Sequence, residues 1–322
     1  MRSNYFRVIA TAWLALVPGL ASADGANVLF YNATTRAGAV GKLTVSEFQT
    51  TKTFPAGAFG VWTQIACVDS SHSLLFYNAD TGAGADGVLD HGDFRTTSTS
   101  QGFALGWTHI LDAHLYSFTG SVRRPLPLFY NLATGSGAVG YSPTVRVYPD
   151  RAFAVNWTQI ATTQSGTLFY NARTGQGAVT VPIESGARGG SPTKADDVRT
   201  TAVYGPGAFS TGWTHVVAAA SDILFYNAVD GSAAIGRIVG GSFQTTKVYD
   251  PGSFGRGWTH VVAAKTAQTF LFYNAGTGEG AVGEIANGRF RTTKVYPADA
   301  FAKGWTHLVV AAADSVPSGP VH

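Results

Sequence analysis

This chain repeats itself, and the repeat limits its fold more than any other feature. Leu-Phe-Tyr-Asn begins at Leu29, Leu75, Leu128, Leu168, Leu224 and Leu271. Trp-Thr followed by His or Gln begins at Trp62, Trp107, Trp157, Trp213, Trp258 and Trp305. The six copies, spaced by about 40 to 56 residues, fill the chain beyond its first two dozen residues. Each copy holds four short segments rich in Val, Ile, Thr, Phe and Tyr, with Gly, Pro, Asn or Asp between them. β-Branched and aromatic runs bounded by turn formers read as strands, and no segment keeps a helical period. Such a unit cannot bury its apolar faces alone, so the copies must stack. Four strands in a repeat of this length predict an all-β, six-bladed β-propeller with four antiparallel strands per blade.

Residue size orders the strands within a blade. Blades converge on a central axis, so the innermost strand needs small side chains, and the segment Trp-Thr-His-Val-Val-Ala-Ala suits it. Leu-Phe-Tyr-Asn is apolar on both faces, as expected of a strand sandwiched between neighbouring blades. Phe-Gln-Thr-Thr-Lys-Val-Tyr alternates Phe with polar residues, which suits an exposed outer edge protected against pairing. The chain then opens on a second strand at Leu29 and ends on an inner strand at Trp305. The C-terminal strand is therefore expected to close the first blade.

Arg2 and Arg7 lie at the start of the apolar run Val-Ile-Ala-Thr-Ala-Trp-Leu-Ala-Leu-Val-Pro-Gly-Leu, which leads to Ala21-Ser22-Ala23. This arrangement reads as a secretory signal peptide over residues 1–23, with an apolar stretch too short to span a bilayer. The propeller is expected over 24–314 and a disordered tail over 315–322, giving a secreted or periplasmic product with no membrane span. Without the leader, 20 basic residues face 19 acidic ones, a balance that does not call for nucleic acid. The single cysteine, Cys67, excludes an internal disulfide and stands where several copies have Ala. It reads as a core thiol.

The strings LFYNAGTGEGAVG and FQTTKVYDPGSFGRGWTH resemble the secreted propeller repeats of tachylectin-like and tectonin-like lectins. More distantly they resemble bacterial repeats of the FG-GAP type. The resemblance runs from about Val28 to Asp314 and implies a propeller and, for the lectins, carbohydrate binding. FG-GAP repeats often carry a calcium loop dense in Asp. Here the loop reads NARTGQGA or NAGTGEGA, with at most one carboxylate per copy, so neither calcium nor another metal is implied.

The positions that recur are Leu, Phe, Tyr, Asn, Thr, Gly, Ala and Trp, and no Asp, Glu, Ser or Cys recurs as a catalytic candidate. The pair Asp196-Asp197 reads as a solvated loop, and no catalytic residue and no cofactor is expected. His109, His215, His260 and His307 follow Trp-Thr, where the other copies have Gln64 and Gln159. Gln replaces His as a neutral hydrogen-bonding group better than as a transition-metal ligand. These residues therefore read as buried polar anchors between inner strands. The recurrent Trp could stack on a sugar, but its place at the start of the innermost strand favours packing.

Loops supply the candidate sites. On one face each copy presents Asn-Ala-x-Thr-Gly-x-Gly or a variant of it beside the blade-to-blade link. Amide, hydroxyl and free backbone N–H groups there suit a neutral polyol, although Asn and Gly also simply make turns. The candidate ligand contacts are Asn78 and Thr81, Asn131 and Thr134, Asn171 and Thr174, and Asn274 and Thr277. Arg36 replaces the first Gly in copy one; in copy five Asp230 replaces Thr and Ala233 the second Gly. If both glycines adopt positive φ, those two loops change shape and four equivalent sites remain. On the opposite face, insertions over 112–127 and 181–197 are expected as loops projecting together. They form a possible second surface with Tyr116, Phe118, Arg123, Arg124 and Arg188.

The sequence thus predicts a secreted, non-catalytic, lectin-like propeller that binds glycans or glycoconjugates through repeated weak sites. The alternative is a protein-interaction scaffold using the irregular face, and an enzyme is a lesser alternative.

Overall fold

The computed structural model describes residues 25–68, 72–119, 122–141, 146–188, 191–264 and 267–313. The expected leader and tail lie outside them. No helix occurs among the described residues; the chain forms strands throughout, in an order that repeats. The first strands are β1 (Ala26–Tyr31), β2 (Gly38–Leu43) and β3 (Phe48–Phe54). Next come β4 (Gln64–Cys67), β5 (Ser73–Tyr77), β6 (Gly84–Asp90) and β7 (Asp93–Ser100). The third group is β8 (His109–Thr119), β9 (Val122–Tyr130), β10 (Gly137–Val139) and β11 (Arg146–Tyr148). The fourth is β12 (Gln159–Thr163), β13 (Gly166–Asn171), β14 (Gln176–Arg188) and β15 (Ser191–Tyr204). The last two are β16 (His215–Ala219), β17 (Asp222–Tyr226), β18 (Ala233–Val239) and β19 (Ser242–Tyr249), then β20 (His260–Ala263), β21 (Thr269–Tyr273), β22 (Gly280–Ala286) and β23 (Arg289–Tyr296). The closing strand is β24 (His307–Ala313), which pairs antiparallel with β1 in the order β24-β1-β2-β3.

The first strand of each meander neighbours the first strand of the next, from β4 through β8, β12, β16 and β20 to β24 and back to β4. This is the propeller arrangement. Burial follows the expected strand order. Leu29, Tyr31, Leu224 and Tyr226 are fully buried in their strands, whereas β19 exposes most of its residues.

The sheets differ from expectation in one respect: there are five of them. Four are separate four-stranded meanders, and the fifth has eight strands in the order β11-β10-β9-β8-β15-β14-β13-β12. The described residues of 112–127 and 181–197 lie mostly in strands rather than in loops. They extend β8 and β9, and β14 and β15, into long hairpins, and Tyr116↔Ala195 and Ser117↔Lys194 pair the two hairpins edge to edge. Long insertions carry many backbone polar groups, and strand pairing satisfies them. Asp196 and Asp197 accordingly lie within β15 rather than in a solvated loop. Arg146 reaches both carboxylates, Lys194 binds Asp196 at 3.0 Å, and the Tyr148 hydroxyl donates to Asp197 at 2.6 Å.

The meanders are fastened together by the Tyr of each Leu-Phe-Tyr-Asn. Tyr31, Tyr77, Tyr130, Tyr170, Tyr226 and Tyr273 are all 0% exposed. Their hydroxyls donate to link carbonyls at Gly60, Ala104, Ala154, Ser210, Gly255 and Ala302, at 2.6–2.8 Å. The same oxygens accept from the backbone N–H of the Trp that starts the next inner strand, as Tyr31 does from Trp62 at 3.1 Å. A second tie runs around the rim, where Tyr204, Tyr249 and Tyr296 accept from the backbone N–H of Phe243, Phe290 and Phe48 in the following meander.

Ring size governs the glycines. A β-carbon on Gly41, Gly87, Gly236 or Gly283 would lie 2.1–2.3 Å from the ring of Phe48, Phe94, Phe243 or Phe290. The fourth meander has Thr180 at the glycine position and Val198 at the phenylalanine position. Both partners have changed together, and the smaller Val leaves the space that Thr180 fills. Thr180 Oγ1 is buried there without a hydrogen-bond partner.

Two predictions follow from these contacts. Tyr170→Phe leaves the Ser210 carbonyl and the Trp213 N–H unsatisfied. It is expected to cost about 1–3 kcal/mol in denaturant unfolding; unchanged stability would mean that the ring alone holds the link. Gly236→Thr is expected to destabilise by about 1–3 kcal/mol through overpacking, and Phe243→Val in the same chain should recover part of that loss. Additive losses in the double variant would show that the two positions do not share one space.

Candidate functional site

The Thr-Gly loops and the links do lie together on one face, joined by backbone hydrogen bonds such as Phe209 N–H to Gly175 O and Gly207 N–H to Thr174 O, both at 2.9 Å. The Asn and Thr side chains proposed as ligand contacts are engaged in building this face. Asn78 Oδ1 accepts from the N–H groups of Asp80 and Thr81, and its Nδ2 donates to Val61 O at 3.0 Å. Asn131 does the same with Ala133, Thr134 and Gly106 O. Asn171 and Asn274 accept from the two corresponding N–H groups. Asn78 and Asn171 are only 7% and 4% exposed. Thr81, Thr134, Thr174 and Thr277 each accept from the N–H two residues on. A polar side chain that folds back on its own turn is a turn former. The structure thus gives all eight residues a local partner.

Nor does loop shape select four of the six copies. The first Gly has positive φ at Gly82, Gly135, Gly175, Gly231 and Gly278, and Arg36 takes φ 58° in the same place. Arg36 keeps the turn's bonds, its N–H donating to Asn32 O. Asp230 supplies the missing hydroxyl's role by accepting from Ser232 N–H at 2.8 Å. The second Gly is small for a different reason: a β-carbon on Gly38, Gly84, Gly137, Gly177 or Gly280 would strike the ring of a link Phe at 2.4–2.8 Å. Ala233 occupies that place in copy five, and there Phe254 sits 4.6 Å from Phe290, closer than Phe209 sits to Phe243 at 5.1 Å.

Concave space lies between copies rather than on them. One cleft of about 310 Å³ opens where the link before β8 meets the third meander, and another of about 240 Å³ where the link before β16 meets the fifth. Their walls correspond position by position. The link contributes Phe103 and Trp107 to the first and Phe209 and Trp213 to the second. The meander contributes Phe129, Ala138 and Val147 to the first, and Phe225, Ala234 and Val248 to the second. Val147 and Val248 are 71% and 61% exposed, as apolar lips on otherwise polar outer strands. Ser136 and Asp150 add polar groups to the first cleft, and Ser210 and Thr245 to the second. Sequence reasoning missed these sites because no single copy contains one. The signal for them was a Val repeated on strands read as exposed.

A third space, about 280 Å³, runs along the axis and is lined by Ile65, Ile110, Ile160, Val217, Val262 and Val309, with Asp112 and Cys67. Cys67 is a buried thiol outside any disulfide, as expected. Around this axis the recurrent His and Gln act as anchors. Gln159 Nε2 donates to Thr214 O, and the Nε2 atoms of His215, His260 and His307 meet the carbonyls of Thr259, Thr306 and Thr63, each at 3.1 Å. His109 is likewise bonded to the Thr158 backbone. Burial pushes all four imidazoles below their ordinary value, with the carbonyl partner opposing it. Burial also raises the phenols of Tyr170 and Tyr226 to about 12. Among the described residues no group of three His, Cys, Asp or Glu side chains could hold a metal ion.

The second surface also changes character. Tyr116 is 8% exposed and its hydroxyl donates to Glu184 at 3.3 Å, so it is an internal tie of the eight-stranded sheet. Phe118, Arg123 and Arg124 fall in β8 and β9, where Phe118 pairs with Arg123 and Ser117 with Arg124, and Arg188 pairs with Ser191.

No protein-family model matches this chain, and no curated protein matches it in sequence. Solved structures do match. A protein of unknown function from Desulfotomaculum acetoxidans is 7% identical, with a TM-score of 0.51 over 87% of this chain and 82% of its own. A candidate 6-phosphogluconolactonase from Bacteroides uniformis is 13% identical, with a TM-score of 0.47 over 85% of this chain and 83% of its own. A chain of a nidogen–laminin complex is 11% identical, with a TM-score of 0.49 over 90% of this chain and 100% of its own. At 7% identity the likeness to the first of these is one of fold alone.

If the loop amides are structural, Asn171→Ala should lower stability by about 1–3 kcal/mol through the two N–H groups it releases. Calorimetric melting measures this, and an unchanged melt would return the amide to the list of free ligand contacts.

Proposed function

We propose that the chain is a six-bladed propeller that binds neutral carbohydrate without altering it, in clefts between adjacent blades. In this reading the eight-stranded sheet is two blades whose long hairpins have joined. The observation that carries the reading is the recurrence of one cleft at equivalent positions, with an indole and two phenyl rings within and an exposed Val at its lip. An aromatic wall takes the C–H face of a sugar ring, and nearby hydroxyls and carbonyls take its hydroxyl groups. Volumes of 240 and 310 Å³ lie near the lower end of the ~300–1,000 Å³ typical of ligand sites. They suit a single sugar residue better than an extended chain. Each site is then weak, and several on one rigid body gain avidity on a surface dense with glycan. The lining of the cleft at Trp213 includes no carboxylate or imidazole, the groups that general acid–base hydrolysis needs. With the leader over 1–23 cleaved near Ala23, the protein acts outside the cytosol.

A second reading, a protein-interaction scaffold, draws on the joined hairpins β8–β9 and β14–β15, which break the ring's symmetry on the face away from the links.

The test uses the lip residue, because it is exposed and its replacement should change stability by no more than about 0.5 kcal/mol. Calorimetric titration with a panel of neutral monosaccharides is expected to give a stoichiometry above one. Val248→Glu should lower it by about one with an unaltered melt. Absence of heat with every sugar, or a stoichiometry indifferent to Val248→Glu and Val147→Glu, would overturn the cleft as the site.

A further inference from the structure

We infer that the imidazoles around the axis form an acid-sensitive closure of the ring, intact when neutral and loosened when they take up protons. The belt joins every pair of neighbouring inner strands from β8 round to β4. His109 ties β8 to the Thr158 backbone, Gln159 ties β12 to Thr214, His215 ties β16 to Thr259, and His260 ties β20 to Thr306. His307 ties β24 to Thr63 at the start of β4. That last bond lies at the seam, where the end of the chain completes the first meander without a covalent link to its neighbour.

The carbonyl partners fix which nitrogen carries the proton in the neutral ring. A carbonyl only accepts, so Nε2 must carry the proton, and Nδ1 is then an acceptor. Its partner is the hydroxyl of the preceding Thr, at 3.0, 2.9, 2.9 and 2.8 Å for His109, His215, His260 and His307. Each hydroxyl also lies 3.0–3.1 Å from a Tyr carbonyl, that of Tyr130, Tyr226, Tyr273 or Tyr31. Protonation at Nδ1 therefore turns the hydroxyl proton from the ring to that carbonyl. The site accepts the proton by rotating one bond, which makes the change reversible.

Among the described residues no carboxylate acts on any of the four rings, Asp112 at the axis included. The ring of His109 is faced by Tyr130, His215 by Tyr226, His260 by Tyr273 and His307 by Tyr31, all phenols at 5.6–5.7 Å. The charges acting on His260 are those of His215 and His307. Protonation thus places three like charges on consecutive inner strands, β16, β20 and β24, beside the seam.

The sign follows from the lowered values. Below the ordinary imidazole value of 6.5 the unfolded chain binds protons that the folded ring resists. Stability is complete above that pH and is lost as pH falls through the lowered values. Gln64 and Gln159 show that the ring accepts a neutral amide in this place.

The test compares melting of the wild-type chain and of H109Q/H215Q/H260Q/H307Q at about pH 7.5 and pH 5. The wild type is expected to lose several degrees or more, roughly, and the variant most of that sensitivity. Equal losses in both overturn the inference. A histidine C2–H titration by NMR on the wild type gives an independent reading that needs no variant. Four belt imidazoles titrating at or above the ordinary value would overturn the inference equally. If the quadruple variant does not fold, H307Q alone should flatten the acid limb in part, and an unchanged limb counts against the belt.

Discussion

The rest of the structure depends on one contact: a phenol buried between two copies of the repeat, bonded to the link that joins them. Each such Tyr is fully enclosed, so its hydroxyl must have partners, and it finds them in a link carbonyl and the N–H of the next Trp. The bond fixes the link, the link fixes the start of the next inner strand, and the orientation of each copy passes to the next. A ring built this way is over-determined, since the last strand must meet the first at the register that β1 requires, with Tyr31 opposite His307. Two further circles of bonds sit inside and outside the first. The inner one joins His or Gln to a carbonyl, and the outer one joins the rim Tyr to the backbone of the next outer strand. The outer circle lapses at the first and second copies, where Phe54 and Ser100 stand at the position of that Tyr.

The meander, its strand order and its closure were legible in the sequence because they follow from residue size and period within one copy. Small Ala-rich segments went to the axis, Leu-Phe-Tyr to the faces between copies, and Thr-Lys segments to the rim. The anchoring role of the recurrent His was legible as well, from its exchange with Gln64 and Gln159. What escaped was whatever two copies make together. The clefts lie between a link and the next meander, so Trp213 and Val248 belong to one site although 35 residues part them in the chain. The joining of the long hairpins also escaped. Their length beyond the repeat reads as loop, whereas β8 with β9 and β14 with β15 pair along it, and the two hairpins then meet at Tyr116↔Ala195 and Ser117↔Lys194.

The loop residues are the instructive case. Asn, Thr and Gly recur in a pattern that serves equally to bind a polyol and to make a turn, and the sequence alone does not separate the two. The hydrogen bonds do, because Asn78 has partners for both ends of its amide. The glycines likewise have two causes that sequence merges into one. Gly175 needs positive φ, whereas Gly177 must leave room for the ring of Phe209. Departures from the repeat sort accordingly. Arg36 tolerates the first requirement at a modest cost in backbone strain, and Ala233 meets the second by pushing Phe254 toward Phe290.

These two kinds of departure bear differently on function. A strained turn such as that at Arg36 keeps its backbone bonds, so the course of the loop is unchanged while an exposed guanidinium is added to its surface. A displaced ring changes a wall. Phe254 occupies the place in its own link that Phe209 and Phe103 occupy in the clefts at Trp213 and Trp107, and it stands closer to the outer-strand ring of the next meander than Phe209 does. Variation among the copies therefore enters through the packing between them, where Ala233 stands in place of a glycine and Phe254 lies nearer Phe290, as well as through the loops that vary most visibly in sequence.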